Sequence, residues 1–345
     1  MAQKKHKDPF IGVLVNKLKP LDTFKVAQAL DVGLVICSPK SIDWRNQKVK
    51  GLLLIDGDFQ KKVVPFPDVI IMRKYTSTRK LSIKIEGITG PGKVFNTITR
   101  FDKWKTYDML RDSLVGQHLP MTYQYKEASF FDYLHRYKKV IIKPRMSYLG
   151  KGIYTIEVKP DGTFVLYHHR VVPELETQDA DLLLRQLKTI TSGEVGYILQ
   201  PFIHFDRTGR HLYDIRLLVQ KDGSGAWGVT GGFSRLSAPN FYKTNYPSDL
   251  WKLDELLESN NLLTRKRLKE MEKIGIATAR TLDEGPYGHL GDISVDFGLG
   301  QDGSIWIIEV NGKTQKKMVT RLDDEALIKN AYLKPIAYAK YLAKQ

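Results

Sequence analysis

The chain opens with short apolar runs separated by helix-length or turn-rich stretches: FIGVLV (10–15), a helix-like TFKVAQALDVG (23–33), then LVICSP, GLLLID and DVIIMR. This spacing predicts an α/β domain with a largely parallel sheet. The interval 74–91 is basic and rich in Thr, Ser and Gly, so it reads as a connection, and a first domain ends near residue 98. In ITRFDKWKTYDMLRDSLVG, Trp104, Tyr107, Leu110 and Leu114 recur at three- and four-residue steps, which predicts one face of a helix. KKVIIKP and GIYTIEV then read as two strands joined by a glycine-containing loop, and DLLLRQLKTI as a helix. Strand patterns return in YILQPFI, DIRLLVQ and AWGVTGGFSRL, followed by helices over 248–259 and 264–283. The last sheet signal is HLGDISVDFGLGQDGSIWIIEVNG, and a helix follows from Asp324.

A length of 345 residues exceeds one small core and suits two or three compact domains. Hydrophobic residues at 42% and aromatics at 10% place the chain among folded proteins rather than disordered ones. The single cysteine, Cys37, excludes an internal disulfide and a cysteine-rich zinc cluster, so a reducing compartment is permitted. Apolar runs fall well short of the roughly 18 residues a membrane helix needs, and 10–15 is too short for a signal-peptide core, so a soluble, cytoplasmic protein without membrane insertion is expected. Fifty-four Lys and Arg against 38 Asp and Glu give a net charge of +16. That excess fits a polyanion surface, a site for phosphates and acidic substrates, or a plain solvated surface.

Two motif matches mislead. GITGPGK (87–93) follows the phosphate-loop pattern until Val94 replaces the hydroxyl residue, and the VFNTITRF after it reads as extended where that motif needs a helix. GLGQDG (298–303) has dinucleotide-fingerprint spacing but runs straight into the strand IWIIEV, so a hairpin turn explains it better.

If Asp302-Gly303 is a two-residue type I′ turn, Asp296 lies directly opposite Glu309. Asn311 then projects beside Glu309, while Val295, Phe297, Ile308 and Val310 face a core on the other side. Opposed carboxylates are unfavourable unless neutralised, and a hard divalent cation with oxygen ligands would do so; two acids pointing to solvent at a hairpin tip are the alternative. Lys143 ends VIIKP, and the loop after it carries Gly150 and Gly152, which bring backbone N–H groups close to an anion. A surface lysine on an ordinary hairpin has the same local pattern. YILQPFI ends in a proline-interrupted edge that leaves backbone groups for a planar base, with Phe202 and Ile203 as apolar packing and Asp206 within reach of a ribose; a simple core strand is the competing reading. Asp214 and Arg216 share a strand face, and Arg216 suits either a phosphate or a surface acid.

Taken in order, Asp102-Lys103 before a helix, IIKP with its glycine loop, LQPFI, DIR and VDF…EVN resemble the ATP-grasp superfamily, and within it the YheC/YheD endospore coat-associated group, most visibly in VFN (94–96), FDKWKTYDML and DFGLGQDGSIWIIEVNGK. The resemblance covers about residues 94–315. It implies an N-terminal α/β domain (1–98) followed by two α+β subdomains that clasp a nucleotide: 99–202 with the glycine loop and adenine hinge, and 203–345 with the carboxylate hairpin. Lys103 and Lys143 correspond to phosphate-side lysines, and the loop from Ser147 through Gly150 and Lys151 to Gly152 to the lid over the phosphates. Gln200, Phe202 and Ile203 are similar to the adenine hinge, which here carries Pro201 where many relatives have an acid. Asp296, Glu309 and Asn311 match the metal ligands, for two magnesium ions or manganese, and Arg216 and Arg235 the arginines at the transferred phosphoryl group.

The implied reaction is ATP-dependent ligation of a carboxylate to an amine through an acyl phosphate, with acidic or peptide-like substrates and a link to the spore coat. It needs no enzyme nucleophile, in keeping with the lack of a persuasive Ser/His/Asp or Cys/His set. The rival is a structural protein of a spore layer, non-catalytic or only nucleotide-binding, with spore-layer partners. A nucleic-acid partner is disfavoured, since no RNP-type or helix-turn-helix signal accompanies the charge.

Overall fold

The computed structural model describes residues 8–74, 79–147, 150–168, 171–193, 196–239, 241, 244, 247–312, 314 and 316–345. In the first sheet the strands are β1 (Phe10–Leu14), β2 (Gly33–Cys37), β3 (Ile42–Asp43), β4 (Lys48–Ile55), β5 (Asp58–Pro65), β6 (Val69–Met72) and β7 (Val94–Phe95), in the order β3-β4-β2-β1-β6-β7 with β5 beside β4. β1, β2 and β6 are almost wholly buried Val, Ile and Leu runs, as strands covered on both faces must be. Only half of this sheet matches the expected parallel pattern. β1, β2, β6 and β7 pair in parallel, whereas β4 runs antiparallel to β2, β3 and β5.

The β4–β5 hairpin turns at Asp56-Gly57 with φ of 47° and 88°, the left-handed pair a type I′ turn requires. Residues 74–91 are not merely a connection. They contain helix α1 (Arg79–Thr89), whose Leu81, Ile85 and Ile88, at i, i+4 and i+7, cover the side of the sheet that holds Ile70 and Met72. The helix-like segment near 23–33 is a 3₁₀ helix, Asp22–Ala29, which buries Phe24 and Ala27.

Helix α2 (Lys103–Leu110) precedes the second sheet and is shorter than its apolar spacing predicts. It buries Thr106 and Leu110, while Leu114 lies beyond its end at 90% exposure. The second sheet contains β8 (Tyr123–Gln124), β9 (Lys139–Pro144), β10 (Tyr154–Val158), β11 (Phe164–Tyr167), β12 (Leu175–Thr177) and β13 (Tyr197–Pro201), in the order β12-β11-β10-β9-β13-β8. Helices α3 (Glu127–Tyr137) and α4 (Ala180–Thr191) share one apolar cluster with Val140 and Ile142 of β9. The two-residue period therefore turns Lys143 to the opposite face.

The third sheet holds β14 (Arg207–Thr208), β15 (His211–Lys221), β16 (Trp227–Leu236), β17 (Asp249–Lys252), β18 (Asp292–Leu299) and β19 (Ile305–Asn311). Its order is β17-β16-β15-β18-β19, with β14 on β15. Leu217, Val219, Val295, Phe297 and Ile307 form one core with α5 (Leu253–Ser259) and α6 (Arg265–Asp283). The last helix, α7 (Glu325–Lys344), capped by Asp324, joins a core made by the first sheet together with Leu218 and Phe233 of the third. Among the described residues, no helix is long and apolar enough to cross a membrane.

Candidate functional site

The hairpin of β18 and β19 places Asp296 directly opposite Glu309 and Ser294 opposite Asn311. It does so by two departures from the expected geometry that cancel. The Gly300 N–H donates to the Ser304 carbonyl (2.8 Å), the Gly303 N–H donates to the Gly300 carbonyl (2.8 Å), and Gly303 has φ 82°. The loop is therefore Gln301-Asp302-Gly303, three residues rather than two. The pairing is offset by one near the turn, Phe297 opposite Ile307, until an irregularity between Asp296 and Phe297 restores the register. Ile307, not Ile308, consequently enters the core, and Ile308 lines the cleft.

Asp296 is 1% exposed, and cationic side chains surround it. Arg216 grips it bidentately, Nε to Oδ1 at 2.6 Å and Nη2 to Oδ2 at 2.7 Å. Arg235 donates to Asp296 Oδ2 at 2.8 Å and to both oxygens of Asp214 at 2.8 and 2.5 Å. Thr244 also donates to Asp214. Burial pushes the Asp296 carboxyl up, but the two guanidinium groups outweigh it and hold the carboxyl below the usual range. Burial alone would lower the Arg235 pKa, and Asp214 and Asp296 raise it instead. Glu309 receives Lys103 Nζ at 3.0 Å. In this structure the opposed acids are thus neutralised by Arg216, Arg235 and Lys103. Two buried polar atoms on the same sheet face, Arg216 Nη1 and Ser294 Oγ, have no hydrogen-bond partner among the described residues.

Lys103, Lys143, Gln200, Ile198, Ile308 and Glu309 line one cleft between the second and third sheets. Lys103 donates to Ser147 Oγ at 3.1 Å as well as to Glu309. Lys143 donates to Gln200 Oε1 at 2.8 Å, and Gln200 in turn donates to Thr122 Oγ1 at 2.8 Å. Burial pushes Lys143 down to about 8, with Glu309 opposing and Lys103 reinforcing the shift. A lysine depressed in the fold costs stability while it is charged, below about pH 8, and that cost fades as the pH rises toward the ordinary value of 10.5. Lys143→Met is therefore expected to raise Tm at pH 7 by about 2–5 °C, and the gain should shrink between pH 8 and 10.5 in a series of thermal melts. A gain independent of pH would contradict the assignment.

Gly150 and Gly152 sit at φ 66° and 72°, backbone that favours glycine, and a Cβ on Gly152 would meet Pro144 at 2.8 Å. Lys151 is exposed in the same loop, whose positions 148 and 149 lie outside the described residues. At the expected hinge, the Phe202 N–H donates to the Lys139 carbonyl at 2.9 Å, and Lys139 Nζ stands 4.7 Å from the Phe202 ring centroid. Ile203 is half-buried. Asp206 stands apart from the cleft lining, its carboxylate accepting from Tyr213 (2.9 Å) and Asn260 (2.6 Å). GITGPGK covers the end of α1 and a turn and leads into β7, so no helix start follows it. Positions 240, 242, 243, 245 and 246, between β16 and β17, lie outside the described residues.

Sequence reasoning passed over Ser294, Thr122 and Arg145, none of which carries a local signal. Asp102, placed by the sequence only in a pair before a helix, caps α2 by accepting from the N–H groups of Trp104 and Lys105. Among the described residues no three His, Cys, Asp or Glu side chains gather around one point. Asp296, Glu309 and Asn311 carry the hard oxygens that magnesium or manganese takes, but here Arg216 and Arg235 hold both Asp296 oxygens, Asn311 Nδ2 donates to Asp296 at 3.5 Å and Lys103 pairs with Glu309, so a cation there would have to displace these contacts.

Comparison with known proteins bears on the family and the fold. The YheC/D like ATP-grasp family profile matches residues 92–342. The endospore coat-associated protein YheD of Bacillus subtilis (strain 168) is 24% identical over 324 residues, 88% of this chain and 69% of that protein. Among solved structures, D-cycloserine synthetase DcsG superposes with a TM-score of 0.54 at 16% identity, covering 96% of this chain and 99% of that one. The D-alanine-D-alanine ligase from Coxiella burnetii gives 0.54 at 12% identity, covering 98% and 96%. With a family match across most of its length, this chain belongs to the YheC/D-like ATP-grasp family.

Proposed function

We propose that this protein is an ATP- and magnesium-dependent ligase that joins a carboxylate to an amine. The observation that carries the reading is that Lys103, Lys143 and Glu309 line one cleft, with Asp296 paired opposite Glu309 on the hairpin behind it. The solved neighbours bear ligase and synthetase names, in keeping with this class of reaction.

In this reading Lys103, Lys143, Ser147, Lys151 and the amides at Gly150 and Gly152 hold the phosphates. Gln200, Phe202 and Ile203 flank the base, and a ribose hydroxyl at Asp206 would share that carboxylate with Tyr213 and Asn260. Asp296, Glu309 and Asn311 would hold the metal, which when bound would supply positive charge beside the phosphates. The substrate carboxylate oxygen attacks the γ-phosphorus, the bond to the bridging oxygen breaks, and ADP leaves. The amine nitrogen then attacks the acyl carbon, phosphate departs, and the amine proton is lost. Arg216 and Arg235 stand by the transferred group, so catalysis is positioning and charge neutralisation.

Release of ADP and phosphate, measured with Mg²⁺ or Mn²⁺ over a panel of amino acids, dipeptides and amines, tests this. Turnover should require both an acid and an amine and fall at least about 100-fold in Lys143→Met. The second reading, a nucleotide-binding structural protein of the spore coat, is favoured by the name of its relative YheD. Nucleotide binding without turnover for any substrate pair would support that reading and sink the ligase.

A further inference from the structure

We infer that Arg145 is a positioning residue which, through Asp102, sets where Lys103 stands between the glycine loop and Glu309. The inference rests on the nucleotide reading above. Arg145 is the first residue after β9, and its guanidinium meets the Asp102 carboxylate at three points: Nε to Oδ1 and Oδ2 at 3.2 Å each, and Nη2 to Oδ2 at 2.7 Å. Asp102 is at the same time the cap of α2, accepting the N–H groups of Trp104 at 2.9 Å and Lys105 at 3.2 Å. The backbones are tied as well. The Lys103 N–H donates to the Arg145 carbonyl at 3.0 Å, and the Arg145 N–H donates to the Gly196 carbonyl at 2.8 Å.

One arginine thus fastens three parts of the cleft: the start of the glycine loop, the end of the strand that carries Lys143, and the first turn of α2. Lys103, one residue beyond Asp102, then reaches Ser147 in that loop and Glu309 across the cleft. A bidentate guanidinium–carboxylate pair fixes direction as well as distance, which an ammonium does not. Burial pushes the Asp102 carboxyl up, but Arg145 and the capped amides hold it below its ordinary range, and Asp102 raises Arg145 in return. Both groups therefore stay charged across the physiological range. With Arg145 removed, Asp102 still caps its helix, so the fold persists while Lys103 loses its fixed bearing.

The test uses Arg145→Gln, Asp102→Asn and their double variant, because Asn caps helices as well as Asp does while dropping the charge that holds Arg145. Each single change should raise KM for ATP about tenfold, leave KM for the acid and the amine within about twofold and move Tm by no more than about 2 °C. The double variant should be no worse than the worse single, since both remove one contact. Arg145→Lys should recover only part of the loss. In ligand-free protein, the Lys103 amide hydrogen should exchange about tenfold faster in Arg145→Gln than in wild type. Unchanged exchange, or losses that add in the double variant, would overturn the clasp. If wild-type protein binds no ATP, the functional reading falls, and the exchange rates alone decide the clasp.

Discussion

Asp296→Asn is expected to cost the fold about 3–5 kcal/mol. Arg216 spends its hydrogen bonds on this one carboxylate, and its remaining Nη1 has no partner among the described residues. Asparagine keeps the shape and removes the charge, so a buried guanidinium is left uncompensated; Arg235 fares better because Asp214 still holds it. The sign with pH follows from the depressed Asp296 pKa. Its stabilising contribution is complete above the ordinary carboxylate value of 3.8 and is lost as the pH falls through the lower folded value. Urea melts at pH 7 should show the full difference between wild type and variant, and melts well below pH 4 should show the two converging. Equal stability at pH 7 would mean that the four-residue ion cluster of Asp214, Arg216, Arg235 and Asp296 does not form.

Glu309→Gln should behave in the opposite way. Its side chain is 24% exposed and its ion pair with Lys103 opens on the cleft, so its loss should change stability by no more than about 1 kcal/mol. ATP turnover, however, should fall by about 100- to 1,000-fold if this carboxylate holds the metal. Phosphate release beside a thermal melt separates the two effects. Near-normal turnover in a folded Glu309→Gln protein would remove the hairpin from the proposed site. The contrast matters for interpretation, because inactivity in Asp296→Asn alone would not distinguish a lost ligand from a damaged core.

How much of this was legible in the sequence varied with the kind of information needed. The turn signal marked the reversal, but the facing of Asp296 and Glu309 came out as expected only because the three-residue turn and the irregularity beside Asp296 offset each other. Ile308 was misplaced because a bulge leaves no trace in composition. Helix α1 was missed even though Leu81, Ile85 and Ile88 have helical spacing, since the basic and hydroxyl residues between them resemble a loop. Strand β5 was missed because DFQKKVVP is mostly exposed and alternates weakly. For Arg216 the sequence allowed a phosphate or a surface acid, and the partner proved to be a buried acid 80 residues away. Such pairings arise only when strands become neighbours, as with Arg235 on β16 opposite Asp214, which shares the strand face of Arg216 as expected. Arg145 illustrates the same limit, since its meaning depends on a helix cap 43 residues earlier.

The order of synthesis bears on how the first sheet can fold. Ile11, Val13, Leu34, Ile36 and Ile71 share their apolar cluster with Leu327, Ala331, Tyr332, Ile336 and Ala339 of α7. Strands made early on the ribosome must therefore wait for a helix made only after the second and third sheets. An emerging chain cannot finish its first domain and move on, as many multidomain proteins do. Until α7 arrives, that face of the sheet is covered only by the 3₁₀ helix carrying Phe24 and Ala27, so a shortened product leaves apolar surface exposed.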